Sequence, residues 1–477
     1  MAFNTSFYLL YVFLIAGAFW LLPGKLRRPL VFLASVGFYA SWGLIFLWVP
    51  LAIATLVYLI GRRIVVNSQS AIRWMWFGVV GILALLIALR YTGIFASHLS
   101  CVSGLFSLPK TSLATSFAFP LGISFYSFEA IAYLIDLRQG RIKLAGYADI
   151  CLFFFFWPNI LSGPIVRSRE LMPQLKFEKA FEPRLCFEGM DRLVWGLVQK
   201  NVIANLLGIW VDRGFSLQNQ ARLSTPDAWC LAIAFGLQIY FDFAAYTNMA
   251  IGAARLLGVT LPDNFRQPYL AATPAEFWNR WHMTLSRWIR DYLFFPINAR
   301  WKGTPLQLYL SLIGVMGLVG LWHGPSWGFV LWGVLHGAYL VLYRIYESWS
   351  NERQMSQTST GMKITWRAFT LAAVVIAWVP FRAANLQQAG SILSSMTYRF
   401  GLGHSFQSGF YLMTLVVSLF CATEAALMAK LAEVEERAGA EGPSVFRVLV
   451  RPIAYLFGIL LFLLFDENNA QFIYSQF

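Results

Sequence analysis

Five histidines occur in the chain: His98, His282, His323, His336 and His404. One of them is written into a break between two apolar runs, Gly320-Leu321-Trp322-His323-Gly324-Pro325-Ser326-Trp327. The run Leu308 to Trp322 reads as an apolar helix, and Gly324-Pro325 ends it, because a residue before proline avoids the α region. Ser326 can cap the helix that follows. Glycines at 320 and 324 leave room for close approach by a backbone or a ligand. Ionisable rings at membrane depth are costly and mark function. Desolvation disfavours the charged form, so His323 is expected as a neutral imidazole, the form a general base needs. The competing reading is a tight surface turn in which His323 is simply hydrated.

The remaining candidates are less sharply placed. His98 and His404 read as solvated loop residues, and His336, in Leu331-Trp332-Gly333-Val334-Leu335-His336-Gly337, reads as a packed core ring. No metal is expected. His323 and His336 lie 13 apart, about 220° around a continuous helix, and so share no face; the spacing HExxH is absent. Five scattered cysteines show no paired metal spacing and read as small core residues. The acids expected to be buried are Glu129, Asp136, Asp242 and Glu424. Asp242 and Asn248 share one apolar stretch with Tyr240, Tyr246 and Thr247. This is either a polar network joining helices or a source of orienting partners for a histidine, and Asp291 is a third such candidate.

The elements that must position these residues are membrane helices. Of 477 residues, 58% are hydrophobic and 13% charged, against roughly 25% charged in soluble domains. Apolar stretches long enough to cross about 30 Å of hydrocarbon recur at 6–22, 28–42, 45–61, 74–90, 114–136, 148–165, 188–211, 227–257, 308–323, 326–343, 364–380, 409–429 and 449–465. The fold class expected is all-α and polytopic, one membrane domain over 1–477 with no soluble domain. The first run has no basic region before it and no small-residue cleavage site, so it reads as a retained span. The net charge of +14 does not argue for nucleic acid, because Lys and Arg mark cytoplasmic loops. Basic residues follow the first, third and fifth spans, whereas the connection near Ser41–Gly43 has none and the 91–112 loop only Lys110. The N-terminus is therefore expected outside the cytoplasm. Pro173–Arg184, Tyr346–Lys363 and Lys430–Arg451 read as loops.

Segment 271–300 differs from the spans. Thr273-Pro274-Ala275-Glu276 is a helix start with an N-cap, a proline at the first helical position and a capping-box glutamate. At helical spacing Trp278, Trp281, Leu285, Trp288, Ile289 and Tyr292 share one face, and Arg280, Thr284, Arg287 and Asp291 the other. The spacing predicts one amphipathic helix at the interface, with His282 on the edge of its apolar face.

Seven stretches then occur in order: PLGISFYSFEAIAYLIDL (120–137), FFWPNILSGPIVRSREL (155–171), YFDFAAYTNMAIG (240–252), LPDNFRQPY (261–269), EFWNRWHMTLSRWIRDYLFFPI (276–297), GLWHGPSWGFVLWGVLHG (320–337) and QFIYSQF (471–477). Together they resemble the membrane-bound O-acyltransferases, above all the bacterial branch that acetylates exopolysaccharides such as alginate. Proteins of teichoic acid D-alanylation share the architecture. The core motifs span about 115–345. The resemblance implies a ring of about 11–13 tilted helices with re-entrant or interfacial pieces around a central funnel, in the bacterial inner membrane with a periplasmic N-terminus. It implies that His323 is catalytic and that His282 is linked to activity. It also implies a cytoplasmic acyl thioester donor, acetyl-CoA, with no tightly bound cofactor, and a periplasmic esterase-like relay protein within a polysaccharide export complex. Arg280, Arg287 and Arg290, with Arg300, then become candidates to meet coenzyme A phosphates, or else inside-facing anchors. Ser475 stands where relatives often carry an aromatic, and Pro325-Ser326 where they carry small residues, which leaves the acceptor open: alginate, cellulose and peptidoglycan all fit.

Two other classes make different demands. A glycan transporter or flippase needs paired interrupted helices in corresponding halves, and the break at His323 has no counterpart. A scaffold of an export complex needs no particular residue at 323.

Overall fold

A computed structural model describes residues 4–105, 120–161, 163–216, 223–300, 304–352, 360–400, 405–439 and 451–465. His404 and the motif at 471–477 lie outside the described residues. Among the described residues every regular element is helical. Among the described residues, seven helices are long and apolar enough to cross a membrane: Leu44–Val66, Ala71–Arg90, Pro183–Ser216, Thr225–Leu256, Pro305–His323, Trp327–Ser350 and Ile364–Arg382. Ser6–Leu21, Ser408–Glu424 and Arg451–Phe465 are shorter apolar helices. Their outer faces carry exposed Leu59, Phe77, Val80, Leu310 and Leu318. Such surface is stable only against lipid.

The chain divides into two compact units, residues 1–190 with 250–262, and 191–249 with 263–477. In the first, Thr5 caps Ser6–Leu21 by accepting from the Tyr8 amide. The stretch 148–165, expected to span, does not. Its helix runs only over Tyr147–Phe155, and Phe156 leaves the α region with φ −52° and ψ 100°. The chain then turns back under a buried clamp. The Trp157 amide donates to Ser35 Oγ at 3.2 Å, and Glu129 accepts from Asn159 Nδ2 at 2.7 Å and from the Val166 amide at 3.1 Å. Gly122, with φ 77°, lies against this turn; a Cβ there would meet the Ile160 carbonyl oxygen at 2.0 Å. His98, expected in a loop, lies within the helix Ala71–Leu105; no proline or turn cluster interrupts the run before Pro109.

The second unit is built around residues 225–249 of the helix Thr225–Leu256, which are buried almost throughout. A helix apolar on all sides belongs inside a bundle. Pro305–His323 and Trp327–Glu352 form a tight antiparallel hairpin. Its closeness comes from small residues on the facing surfaces. A Cβ on Gly320 would lie 2.1 Å from the Phe329 carbonyl oxygen, and one on Gly333 would lie 2.1 Å from that of Met316. The room that Gly320 provides is therefore taken by backbone.

Segment 271–300 is not one helix. It runs as Pro274–Arg280, Met283–Ile289, a π-helical turn Arg290–Phe294 and Phe295–Arg300. Trp281 is extended and His282 left-handed, with φ 41° and ψ 53°. The cause is tertiary. The Met283 amide donates to the Asn264 carbonyl, and the Arg266 amide to the Arg280 carbonyl, so the 264–266 strip captures backbone groups that a continuous helix would need. The apolar face holds nonetheless: Trp278, Trp281, Leu285, Trp288, Ile289 and Tyr292 are all buried. Thr284, assigned to the polar face, is buried as well, because the break rotates the second helix. Thr273 caps the first helix through the Glu276 amide, and Glu276 reaches back one residue further than a capping box does, to the Ala272 amide at 2.6 Å.

Candidate functional site

His323 is the last residue of its helix and is 3% exposed. Its ring stands at 5.0 Å from Trp332, at 5.1 Å from Phe381 and at 4.7 Å from Trp322, each edge to face. The hydrated-turn reading of this segment therefore fails at position 323, although Trp327, just beyond the break, is 74% exposed. Helix termination at Gly324-Pro325 puts the ring where the backbone changes direction, and the three aromatic neighbours remove it from water.

His282 is 1% exposed. Its Nδ1 lies 3.0 Å from Asn264 Oδ1. The same Asn264 atom accepts from the Thr284 amide at 3.2 Å and from the Thr284 hydroxyl at 2.9 Å. A backbone N–H can only donate, so this Asn264 atom is an acceptor and Nδ1 must carry the proton. Nε2 then bears the lone pair. Phe243 packs edge to face at 4.7 Å. Burial pushes the imidazole far below its ordinary value, from 6.5 to about 3, so His282 is neutral at physiological pH. Its left-handed backbone is a strained state that persists only where the surroundings over-determine it. Asn264 belongs to the stretch LPDNFRQPY, and only its backbone and side-chain hydrogen bonds reveal its role; nothing in the spacing of the sequence pairs it with a residue 18 positions on.

An aromatic cluster joins the two histidine neighbourhoods. Phe265 meets Trp281 at 5.1 Å, Trp281 meets Trp378 at 5.1 Å, Trp378 meets Trp332 at 5.9 Å, and Trp332 meets His323. His336 is 1% exposed and lies in the same cluster, at 5.0 Å from Trp332 and 5.2 Å from Trp278. His323 and His336 are on different helices of the hairpin, with Trp332 touching both, so the angular argument for a continuous helix does not apply. Among the described residues no group of histidine, cysteine and acidic side chains could hold a metal ion.

The orienting candidates have other partners. Asp242 accepts from Lys200 Nζ at 2.5 Å, with both side chains 2% exposed. Asn248 donates to Gln199 at 2.7 Å and accepts from Arg192 at 2.8 Å, and Arg192 also donates to Asp263 at 2.7 Å. Gln199 and Lys200 begin a π-helical stretch, Gln199–Ala204, which is common at functional sites. Sequence reasoning missed Lys200 and Arg192. Asp291 pairs with Arg290 at 3.0 Å, Arg280 with Glu276 at 2.5 Å, and Arg287 donates to the Met283 carbonyl at 3.3 Å. Arg287 and Arg290 are exposed.

Apolar spans, an all-helical architecture and a dry imidazole at a helix break define a helical multi-pass membrane protein. The sequence profile of the membrane-bound O-acyltransferase family matches residues 32–384. The chain is 36% identical over 406 residues to a probable alginate O-acetylase AlgI of Azotobacter vinelandii, covering 84% of this chain and 79% of that one. It is 32% identical over 499 residues to a probable alginate O-acetylase AlgI of Pseudomonas putida, covering all of both chains. It is also 32% identical over 435 residues to a peptidoglycan O-acetyltransferase of Helicobacter pylori, covering 83% and 80%. The chain belongs to the membrane-bound O-acyltransferase family, and it is an O-acyltransferase.

Proposed function

We propose that the chain moves an acetyl group from a cytoplasmic thioester, acetyl-CoA, to a hydroxyl acceptor for O-acetylation of an exported polysaccharide. It does so in the bacterial inner membrane, with a periplasmic N-terminus and a periplasmic esterase-like relay protein as the immediate acceptor, as part of a polysaccharide export complex. The observation that carries this reading is the dry His323 ring in a chain whose full-length relatives are described as O-acetylases.

The chemistry needs one base and a shielded place. His323 takes the proton of the acceptor hydroxyl as its oxygen attacks the thioester carbonyl carbon. The carbonyl π electrons move onto oxygen and give a tetrahedral oxyanion. Its collapse breaks the C–S bond, and the proton passes from His323 to the leaving thiolate. The products are an ester and a free thiol. A dry site prevents hydrolysis of the thioester and strengthens each electrostatic contact. His282, with Nδ1 tied to Asn264, offers a neutral Nε2 as a second positioned base. Exposed Arg287 and Arg290, with Arg280 on the same segment, supply positive charge for the donor's phosphates. Asp242, Asn248 and Asp291 act through the polar networks that hold these helices.

The deciding measurement is the O-acetyl content of the exported polymer in cells carrying His323→Ala at matched membrane levels of the protein. The expected result is loss of nearly all acetate, and unchanged acetylation would overturn the reading. Purified protein given radiolabelled acetyl-CoA and the relay protein should label the relay protein only when His323 is present.

A further inference from the structure

The cluster beside His323 holds an unusual set of buried polar groups. The indole N–H groups of Trp278, Trp332 and Trp378 and the Nε2 of His336 have no hydrogen-bond partner among the described residues. All four side chains are buried, at 9%, 1%, 0% and 1% exposure. They are contiguous. Trp332 lies 5.9 Å from Trp378, 5.8 Å from Trp278 and 5.0 Å from His336. Buried tryptophans ordinarily find a partner for the N–H, and a buried polar group without one calls for an explanation. An indole N–H can only donate. Three such donors in one place call for an acceptor that the chain itself does not provide.

Trp332 is the donor that also touches His323, at 5.0 Å edge to face. We propose that the Trp332 N–H, on a ring stacked against Trp378, receives the acyl carbonyl oxygen of the donor and stabilises the oxyanion formed when the hydroxyl attacks. This rests on the acyl-transfer reading above. A carbonyl oxygen is an acceptor of the right kind, and it becomes a far better one as the π pair moves onto it. Donors held rigidly in a dry aromatic frame meet that charge without reorganising. No bond beyond those already described forms or breaks; the indoles only donate hydrogen bonds.

Two analogues test this without turnover. One is the ketone in which a methylene replaces the thioester sulphur of acetyl-CoA; the other is S-ethyl-coenzyme A, which lacks the carbonyl oxygen. The purified protein should bind the ketone more tightly, and Trp332→Phe should reduce that preference by about tenfold or more while leaving S-ethyl-coenzyme A binding unchanged. In turnover, Trp332→Phe should lower kcat by about 100-fold with KM for the thioester within about threefold, and Trp378→Phe should act in the same direction. Benzothienylalanine at 332, which puts sulphur in place of the N–H at similar ring size, should reproduce the loss if the phenylalanine variant folds poorly. A preference for the ketone that survives both changes with kcat intact would overturn the proposal, leaving the indoles to hold an ordered water only. Equal binding of the two analogues by the unaltered protein would overturn it too. Failure of both analogues to bind would instead strike the acyl-CoA reading itself.

Discussion

Asn264 Oδ1 serves His282 and Thr284 at once: it takes the imidazole Nδ1–H at 3.0 Å and the Thr284 amide at 3.2 Å. One side-chain oxygen thereby sets both the tautomer of a histidine and the start of the helix that follows it. Asn264→Leu should remove both effects. By analogy with groups that orient metal-ligating histidines, activity should fall about 10- to 100-fold, and taking the Asn264 acceptor from the Thr284 amide and hydroxyl should cost about 1–3 kcal/mol. Acetyl transfer by detergent-purified protein and its thermal unfolding midpoint read the two losses separately.

The His282 ring also gives stability a pH dependence. Its folded value is about 3 against 6.5 for the free group. Between these limits the unfolded chain binds a proton that the folded chain does not, so stability falls as pH falls through that window. Above the upper limit neither state is protonated and the group contributes nothing. The slope approaches about 1.4 kcal/mol per pH unit at most. His282→Gln should flatten it, which thermal unfolding measured from pH 7.5 down to pH 4.5 would record. An unchanged slope would show that the ring is not buried.

Lys200 and Asp242 form an ion pair with both partners shut away from water. Asp242→Asn leaves Lys200 charged and unpaired, at a cost of about 3–5 kcal/mol, and should deplete the folded protein in membranes. Lys200→Met combined with Asp242→Leu should recover much of that loss, because an apolar pair carries no desolvation penalty. Fluorescence-detected gel filtration of the two variants beside the unaltered protein distinguishes an ion pair from an incidental contact.

The hairpin carrying His323 depends on its glycines. Gly320→Ala places a methyl group where the Phe329 carbonyl oxygen already is, so the two helices must part. Overpacking of this kind costs about 1–3 kcal/mol. Gly320 is one turn before His323, so activity should fall together with the melting temperature. Gly314→Ala, where nothing lies within 4 Å of the added atom, is the matched control and should be neutral.

Arg192 grips Asn248 and Asp263 together, and Asp263 precedes Asn264 in the chain. Arg192→Lys keeps the charge but not the two-armed fork. Because Arg192 and Asp263 are partly exposed, the stability change should stay within about 1 kcal/mol, while kcat falls severalfold as the Asn264 strip loosens. Steady-state kinetics beside a melting curve separates these outcomes.

Much of this was legible along the chain. Low charge and long apolar runs called for membrane helices, and the structure has them. Gly324-Pro325 ended a helix at His323 as the proline rule requires, and the helical spacing of Trp278, Trp281, Leu285, Trp288, Ile289 and Tyr292 selected the buried face correctly. Periodicity failed where a distant segment intervened. The helix over 271–300 breaks at His282 because the 264–266 strip takes its backbone hydrogen bonds, and the 148–165 run leaves the helix at Phe156 and packs onto Glu129 and Ser35.

Local pattern determined which residues are apolar, where helices can stop, and that His323 falls at such a stop, since these follow from side-chain chemistry and backbone sterics within a few residues. Only the tertiary structure decided that Asp242 meets Lys200, that Asn264 orients His282, and that Trp278 and Trp378 pack on Trp332, which in turn meets His323. Those relations join residues on different elements, and they are set by which faces pack together once lipid has taken the outer surface. No spacing rule along one chain contains that information.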